Sequence, residues 1–335
     1  MTNTLAASLL GQPSASQFLL CPKAGVLTFE RVVLRVAAVV RQLAELDIEA
    51  MDRVVLMGEN GLDLVLATLG ICCHCVCVPI SSSASSSEIG HLLSAVNASA
   101  LAYVGRLPQA AQQACSTLAV PRLALDTQVE SAEKLLHKVS PGDLALILST
   151  SGTTARPRLV PLQHGQLCLA SRRIAQTLQL TSRDRCLQTM PLCHIHGLST
   201  LWSTLISGGS YLCAGPFEVE SFLGLVQGSD PTWFSAAPAF YAMMLEFKGR
   251  PAVLDSRLRF VRSASGPMPL DLWREVEQLF QCPLLQAYGM TEAGPLIASN
   301  TLDVAGRRMG SVGRPAGPEV SIHEGEIWIR GDEVC

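Results

Sequence analysis

The sequence predicts an α/β protein. Short apolar runs of strand length alternate with stretches of helical spacing, and most of those runs are apolar throughout instead of alternating with polar residues. Continuous apolar strands suit a parallel sheet that helices cover on both faces.

In chain order, apolar residues recur at helical spacing from Leu27 to Leu46, and Asp52-Arg53 then leads into a buried strand at Val54–Met57. Glu59-Asn60 opens a further helix, Leu62–Leu69, followed by a strand at Val76–Ile80. Ser81–Ser87 is serine apart from Ala84, and helical spacing resumes at Glu88–Val96, so the run reads as a surface turn with a serine cap. Ala100–Val104 and Arg122–Leu125 read as further short strands. A second α/β block begins near Pro141: a strand at Leu144–Leu148, a loop from Thr150 to Arg158, then helical spacing from His164 to Leu180. Strands are expected at Thr232–Ala236, Leu258–Arg262 and Pro283–Ala287, helices at Ala239–Phe247 and Leu270–Phe280, and an exposed-edge strand at Glu326–Arg330.

The 335 residues, 48% of them hydrophobic and 16% charged, are enough for a large core divided between packed units. We expect a first α/β subdomain over 1–140, a second over 141–300, and the start of a β subdomain over 301–335. The 25 Lys and Arg are scattered among 28 Asp and Glu, giving a net charge of −3. Without a basic stripe, no nucleic-acid partner is expected. The longest apolar run, Leu64 to Ile80, contains His74 and Pro79 and is better divided into helix and strand than drawn as a membrane span. Met1–Leu20 lacks a basic start followed by an apolar block, so the expected location is cytoplasmic and the 12 cysteines are expected to be reduced thiols. Among these, Cys72, Cys73, Cys75 and Cys77 are placed with His74 on one strand, as small core side chains, with a metal site as the alternative.

Three segments carry chemistry. Ser149-Thr150-Ser151-Gly152-Thr153-Thr154 follows a buried strand and offers hydroxyls and backbone N–H groups to an anion; an ordinary polar loop has the same composition. Its spacing differs from the Gly-x4-Gly-Lys phosphate loop. Tyr288-Gly289-Met290-Thr291-Glu292 also follows an apolar strand, with a ring to cover a base, a hydroxyl for a phosphate and a hard oxygen ligand for Mg²⁺. A packed ring and a solvated acid would look alike. Pro191-Leu192-Cys193-His194-Ile195-His196-Gly197 presents two histidines, suited either to metal or to positioning a substrate carboxylate.

The order of these segments resembles the adenylate-forming superfamily, which includes the AMP-dependent acyl-CoA synthetases. Thr150 to Arg158 is similar to its phosphate loop, Pro191 to Gly197 to its histidine motif, Ser265-Gly266-Pro267-Met268-Pro269-Leu270 to its adenine-side loop, and Tyr288 to Glu292 to its strongest signature. The likeness runs from about Leu27 to Gly331, and within the superfamily Thr232–Pro238, Arg259–Ser263 and Gly310–Pro315 are similar to the oxalate-CoA ligase branch.

The resemblance implies the large N-terminal domain of that fold, with two subdomains that repeat one plan and no lid domain. It implies ATP-dependent activation of a carboxylic acid to an acyl-adenylate, then thioester formation. Oxalate is the first acid to test, and CoA or a carrier-protein thiol is the acceptor. In that scheme Thr150, Ser151, Thr153 and Thr154, with Gly152 and Arg158, would hold the β,γ-phosphates. Ser265, Gly266, Pro267, Tyr288 and Gly289 would line the adenine, Thr291 would meet the α-phosphate, Glu292 would carry Mg²⁺, and His194 would border the acid. Ala155, Arg158 and Leu159 depart from the glycine, lysine and glycine usual in the phosphate loop, which implies a slower-closing loop. The lid's residues lie beyond Gly331 in the family, so the sequence reads as a piece of a longer enzyme; a short nucleotide binder without catalysis is the alternative.

Overall fold

The computed structural model describes residues 3–22, 24–132, 139–150, 158–252 and 254–335. The expected α/β class is what the chain adopts. It divides into two compact units, one of Met1–Leu19, Val26–Gly165 and Pro191–His194, the other of Leu20–Gly25, Gln166–Met190 and Ile195–Cys335.

The chain opens with α1 (Leu5–Leu10), β1 (Gln17–Cys21), β2 (Gly25–Thr28) and α2 (Phe29–Ala44). Next come β3 (Arg53–Met57), α3 (Leu62–His74), β4 (Val76–Ile80), α4 (Ser86–Ala95) and β5 (Ala100–Tyr103). The first unit is completed by α5 (Gln109–Leu118), β6 (Arg122–Ala124), β7 (Leu144–Thr150) and β8 (Arg158–Gln163). Its sheet runs β6-β5-β3-β4-β7-β8. β6, β5, β3, β4 and β7 are parallel, and β8 returns antiparallel to β7.

Each face of that sheet is covered because both carry apolar side chains. Val55, Met57, Val78 and Leu101 pack on Ile89, Leu92 and Leu93 of α4 and Ala111 and Ala114 of α5. α2 and α3 pack on each other, and a Cβ at Gly70 would stand 2.4 Å from a methyl of Val39, so glycine is what lets the helices close. Ser85 caps α4 in a capping box with Glu88, as the serine run suggested. The cysteine cluster is arranged differently from the strand expected of it. Cys72 and Cys73 lie in the last turn of α3, Cys75 follows it, and only Cys77 is on β4. α3 is apolar nearly all round and buried, so helix continues through the cysteines until Cys75 turns extended. Burial pushes the Cys73 thiol up to about 12.

α6 (His164–Thr177), whose first two residues belong to the first unit, leads into the second, where β9 (Arg185–Leu187), α7 (Ile195–Ser207), β10 (Ser210–Leu212) and α8 (Val219–Gly228) follow. β11 (Trp233–Ala236), α9 (Pro238–Glu246), β12 (Phe260–Ser263), α10 (Leu270–Phe280) and β13 (Leu284–Tyr288) continue the alternation. Short strands β14 (Ala298–Ser299) and β15 (Arg314–Pro315) and the hairpin β16 (Glu319–His323) and β17 (Glu326–Arg330) close the chain. The main sheet is ordered β15-β14-β13-β12-β11-β9-β10-β1-β2, with β13, β12, β11, β9 and β10 parallel. On one face Leu187, Phe234, Val261 and Leu284 form a row that packs on Phe222, Tyr241, Trp273 and Val276. That row consists of apolar residues one position before a polar row, because successive strand residues face opposite ways. No helix among the described residues is long and apolar enough to cross a membrane.

Candidate functional site

The carboxyl ends of β11, β12 and β13 carry the polar residues that the sequence singles out in the second unit, and in an open parallel sheet those ends are where ligands bind. β13 ends at Tyr288, whose ring is exposed, and the chain then turns through a single 3-10 turn, Thr291–Ala293. A Cβ on Gly289 would lie 2.3 Å from the Pro295 carbonyl oxygen, so only glycine lets the strand close back on itself. Ile297 N–H donates to the Tyr288 carbonyl at 2.8 Å and completes the closure.

Thr291 and Glu292 are half-buried on that turn. The Glu292 carbonyl is pinned by the Cys335 N–H at 3.0 Å. Among the described residues its carboxylate has no hydrogen-bond or ion-pair partner. A partnerless, accessible carboxylate fits Mg²⁺, which prefers one or two carboxylates plus phosphate oxygens and water to an all-protein cage. The described residues hold no group of three or more His, Cys, Asp or Glu side chains that could hold a metal ion.

After β12 the chain enters Ser265-Gly266-Pro267. Ser265 has φ +70°, a left-handed conformation that costs a non-glycine residue about 1 kcal/mol or more and that gathers at functional sites. Its hydroxyl is held by His196 Nδ1 at 2.9 Å, while His196 Nε2 meets Ser235 Oγ at 2.6 Å. Arg262 Nη1 donates to the same Ser235 oxygen at 3.2 Å. An arrangement that satisfies each group has Ser235 accepting from Arg262 and donating to Nε2, with the ring proton on Nδ1 donated to Ser265. Arg262 is 2% exposed, and burial pulls its pKa down to about 10, so it remains charged at neutral pH. Its Nε has no partner among the described residues.

The two histidines of the motif part company. They share no strand: His194 precedes α7, its N–H bonded to the Pro191 carbonyl at 3.2 Å, and His196 sits in the helix's first turn. His194 is exposed, and the desolvation its ring does undergo lowers its pKa. Leu192 N–H donates to Asn60 Oδ1 at 3.2 Å, fixing the segment within the first unit. Of the phosphate loop, Thr150 pairs with Arg158 across β7 and β8 in the same unit. Ser151, Gly152, Thr153 and Thr154, with Ala155, lie outside the described residues. Sequence reasoning named His196 only within the two-histidine motif, without a role of its own, and passed over Ser235 and Arg262 as site residues. The signal was present in the segments Thr232–Pro238 and Arg259–Ser263, though not the side-chain partnership.

Comparison with known proteins agrees. The family model described as AMP-binding enzyme matches residues 11–335. An oxalate–CoA ligase of Arabidopsis thaliana is 30% identical over 327 residues, 88% of this chain and 63% of that protein. The oxalate–CoA ligase of Saccharomyces cerevisiae is 37% identical over 205 residues, 57% of this chain and 37% of that protein. The chain therefore spans less than two thirds of the length of such relatives. In fold it superposes on the N-terminal domain of FACL13 from Mycobacterium tuberculosis with a TM-score of 0.86 at 21% identity, covering 98% of this chain and 86% of that one. ATP-bound MatB from Rhodopseudomonas palustris gives a TM-score of 0.85 at 22% identity, with 99% and 69% covered. With the family model spanning nearly the whole sequence, the chain belongs to the AMP-binding enzymes, the adenylate-forming superfamily that its motifs resemble.

Proposed function

We propose that this chain is the nucleotide- and acid-binding part of an AMP-forming acid–thiol ligase. A carboxylate oxygen of a small acid attacks the α-phosphorus of ATP, and the bond to the bridging oxygen breaks as pyrophosphate leaves with the electron pair. A thiolate, from CoA or a carrier protein, then attacks the acyl carbon and AMP departs.

The observation that carries this reading is the Glu292 carboxylate, unpartnered among the described residues, beside Thr291 at the carboxyl end of a parallel strand and close in sequence to the exposed Tyr288. The reaction joins two anions, so the protein's task is positioning and charge neutralisation. In this scheme Tyr288 covers the adenine with Ser265, Gly266 and Pro267 beside it, and Gly289 allows close backbone approach. Thr291 bonds the α-phosphate. Thr150, Ser151, Gly152, Thr153, Thr154 and Arg158 receive the β,γ-phosphates, and His194 borders the acid. Mg²⁺, when bound at Glu292, neutralises charge on the phosphate oxygens.

The test is acid-dependent exchange of labelled pyrophosphate into ATP, on this chain and on the full-length protein, across acids from oxalate and acetate to aryl and fatty acids. Exchange with a particular acid is the expected outcome. Its absence with every acid, from folded protein, rejects the proposal in favour of a nucleotide binder.

A further inference from the structure

β9, β11 and β12 are in lateral register, Leu187 beside Phe234 and Phe234 beside Val261. One residue further along lies a second row: Ser235 and Arg262 are paired in register on the face opposite the apolar one, and Gln188 is the residue that follows the last of β9. These three side chains are 1%, 1% and 2% exposed. A polar row so deep in a sheet is costly unless its hydrogen bonds are made. Among the described residues they are made only in part: neither Nε2 nor Oε1 of Gln188 has a partner, and neither does Nε of Arg262.

The charge is the sharper anomaly. Arg262 is in no ion pair with a carboxylate among the described residues, and its one side-chain hydrogen bond is to the Ser235 hydroxyl. A buried guanidinium left without an anion destabilises the fold and is more costly than an apolar side chain of similar volume. Elsewhere in this unit the buried charges have counter-ions: Asp184 has Arg259, and Glu333 has Arg173. Guanidinium presents a planar fork of donors that matches a carboxylate. Ser235 ties the fork through His196 to Ser265, on the loop proposed to lie beside the adenylate.

We infer that the Gln188–Ser235–Arg262 row is the recognition site for a second anionic group on the acid, so that the substrate is a short acid bearing another carboxylate or a comparable anion. This rests on the acid-activating reading and narrows it. One charged end is activated, and the other enters the row, satisfying Arg262 and the Gln188 amide. A monocarboxylate of equal length leaves both unsatisfied, and the site discriminates against it through that loss.

The experiment measures pyrophosphate exchange in the full-length protein for matched pairs, oxalate against acetate and malonate against propionate, in wild type and Arg262→Met. Wild type is expected to favour the dianion of each pair. R262M should lower the dianion-to-monoanion ratio of kcat/KM roughly 100-fold, the scale of losing one partner of a buried charge pair. R262M should also melt at the same temperature as wild type or higher, since it removes a buried charge with no counter-ion. A ratio unchanged by R262M, or a lower melting temperature with both acids falling in proportion, overturns the inference and makes Arg262 structural. If R262M does not accumulate, Gln188→Leu is read by the same ratio, with roughly a tenfold fall expected from the lost hydrogen bonds and no change overturning it. Wild-type exchange with monocarboxylates alone defeats this inference and leaves the ligase reading standing; no exchange with any acid defeats both.

Discussion

The two ends of strands β9, β11 and β12 both gather buried polar side chains, but the ends are finished differently. At the amino ends Asp184 accepts from Thr181 N–H at 2.8 Å, from Thr232 Oγ1 at 2.9 Å, and from Arg259. Arg185 donates to the Ser229 carbonyl at 2.6 Å. These groups tie one loop to the next and ask for nothing further. At the carboxyl ends Gln188 and Arg262 are as deeply buried, yet Nε2 and Oε1 of Gln188 and Nε of Arg262 have no partner among the described residues. A fold that closes its network at one end and leaves it open at the other has spent stability where a ligand can return it, as functional sites do.

The most severe way to break that contrast is at the closed end. Asp184→Ala should cost about 3 kcal/mol of unfolding free energy, near the low end for a buried pair because Arg259 is 37% exposed. Urea midpoints measure it. If D184A were mild while R262M destabilised strongly, the two ends would have exchanged roles.

A buried group with an unpaired atom in the first unit sharpens the same point through pH. His164 is 0% exposed, its Nε2 has no partner among the described residues, and burial pushes its pKa down to about 4. Its unfolded value is about 6.5, so below that pH the unfolded chain takes up a proton that the folded chain refuses. This contribution is intact above pH 6.5 and declines as pH falls towards 4, the loss amounting to about 2 kcal/mol by pH 5. Urea unfolding at pH 7 and pH 5 should show that slope, reduced in His164→Gln. An equal slope in both proteins would place the acid sensitivity elsewhere.

The smallest effect belongs to the surface. Arg330 and Glu319 pair across β16 and β17 at 2.6 Å, but their side chains are 85% and 74% exposed. Glu319→Gln should change stability by less than about 0.5 kcal/mol. A loss comparable with D184A would mean that an ion pair's geometry matters here more than its burial.

How far the sequence told this story depends on the range of the interactions involved. β4 at Val76–Ile80, α10 at Leu270–Phe280 and β17 at Glu326–Arg330 have the bounds expected of them, because local periodicity and flanking turns define them. α7 was not legible as a helix: it is rich in Ser and Thr, includes Gly197, and is helical because nearly all of it is buried. β8 carries Pro161 in its middle, tolerable on the outermost strand of its sheet. Motifs contiguous in sequence, such as Tyr288–Glu292, were visible as candidates. The Gln188–Ser235–Arg262 row was not, since its members come together only through strand order and register.

The difference between the two strand ends can be measured directly by amide hydrogen exchange, with and without Mg·ATP and with a non-hydrolysable acyl-adenylate mimic. The account predicts added protection at 188–190, 235–238, 262–267 and 286–292, and none at 181–185, 229–232 and 256–259. Protection confined to the amino-end segments, or spread equally over both ends, would contradict it.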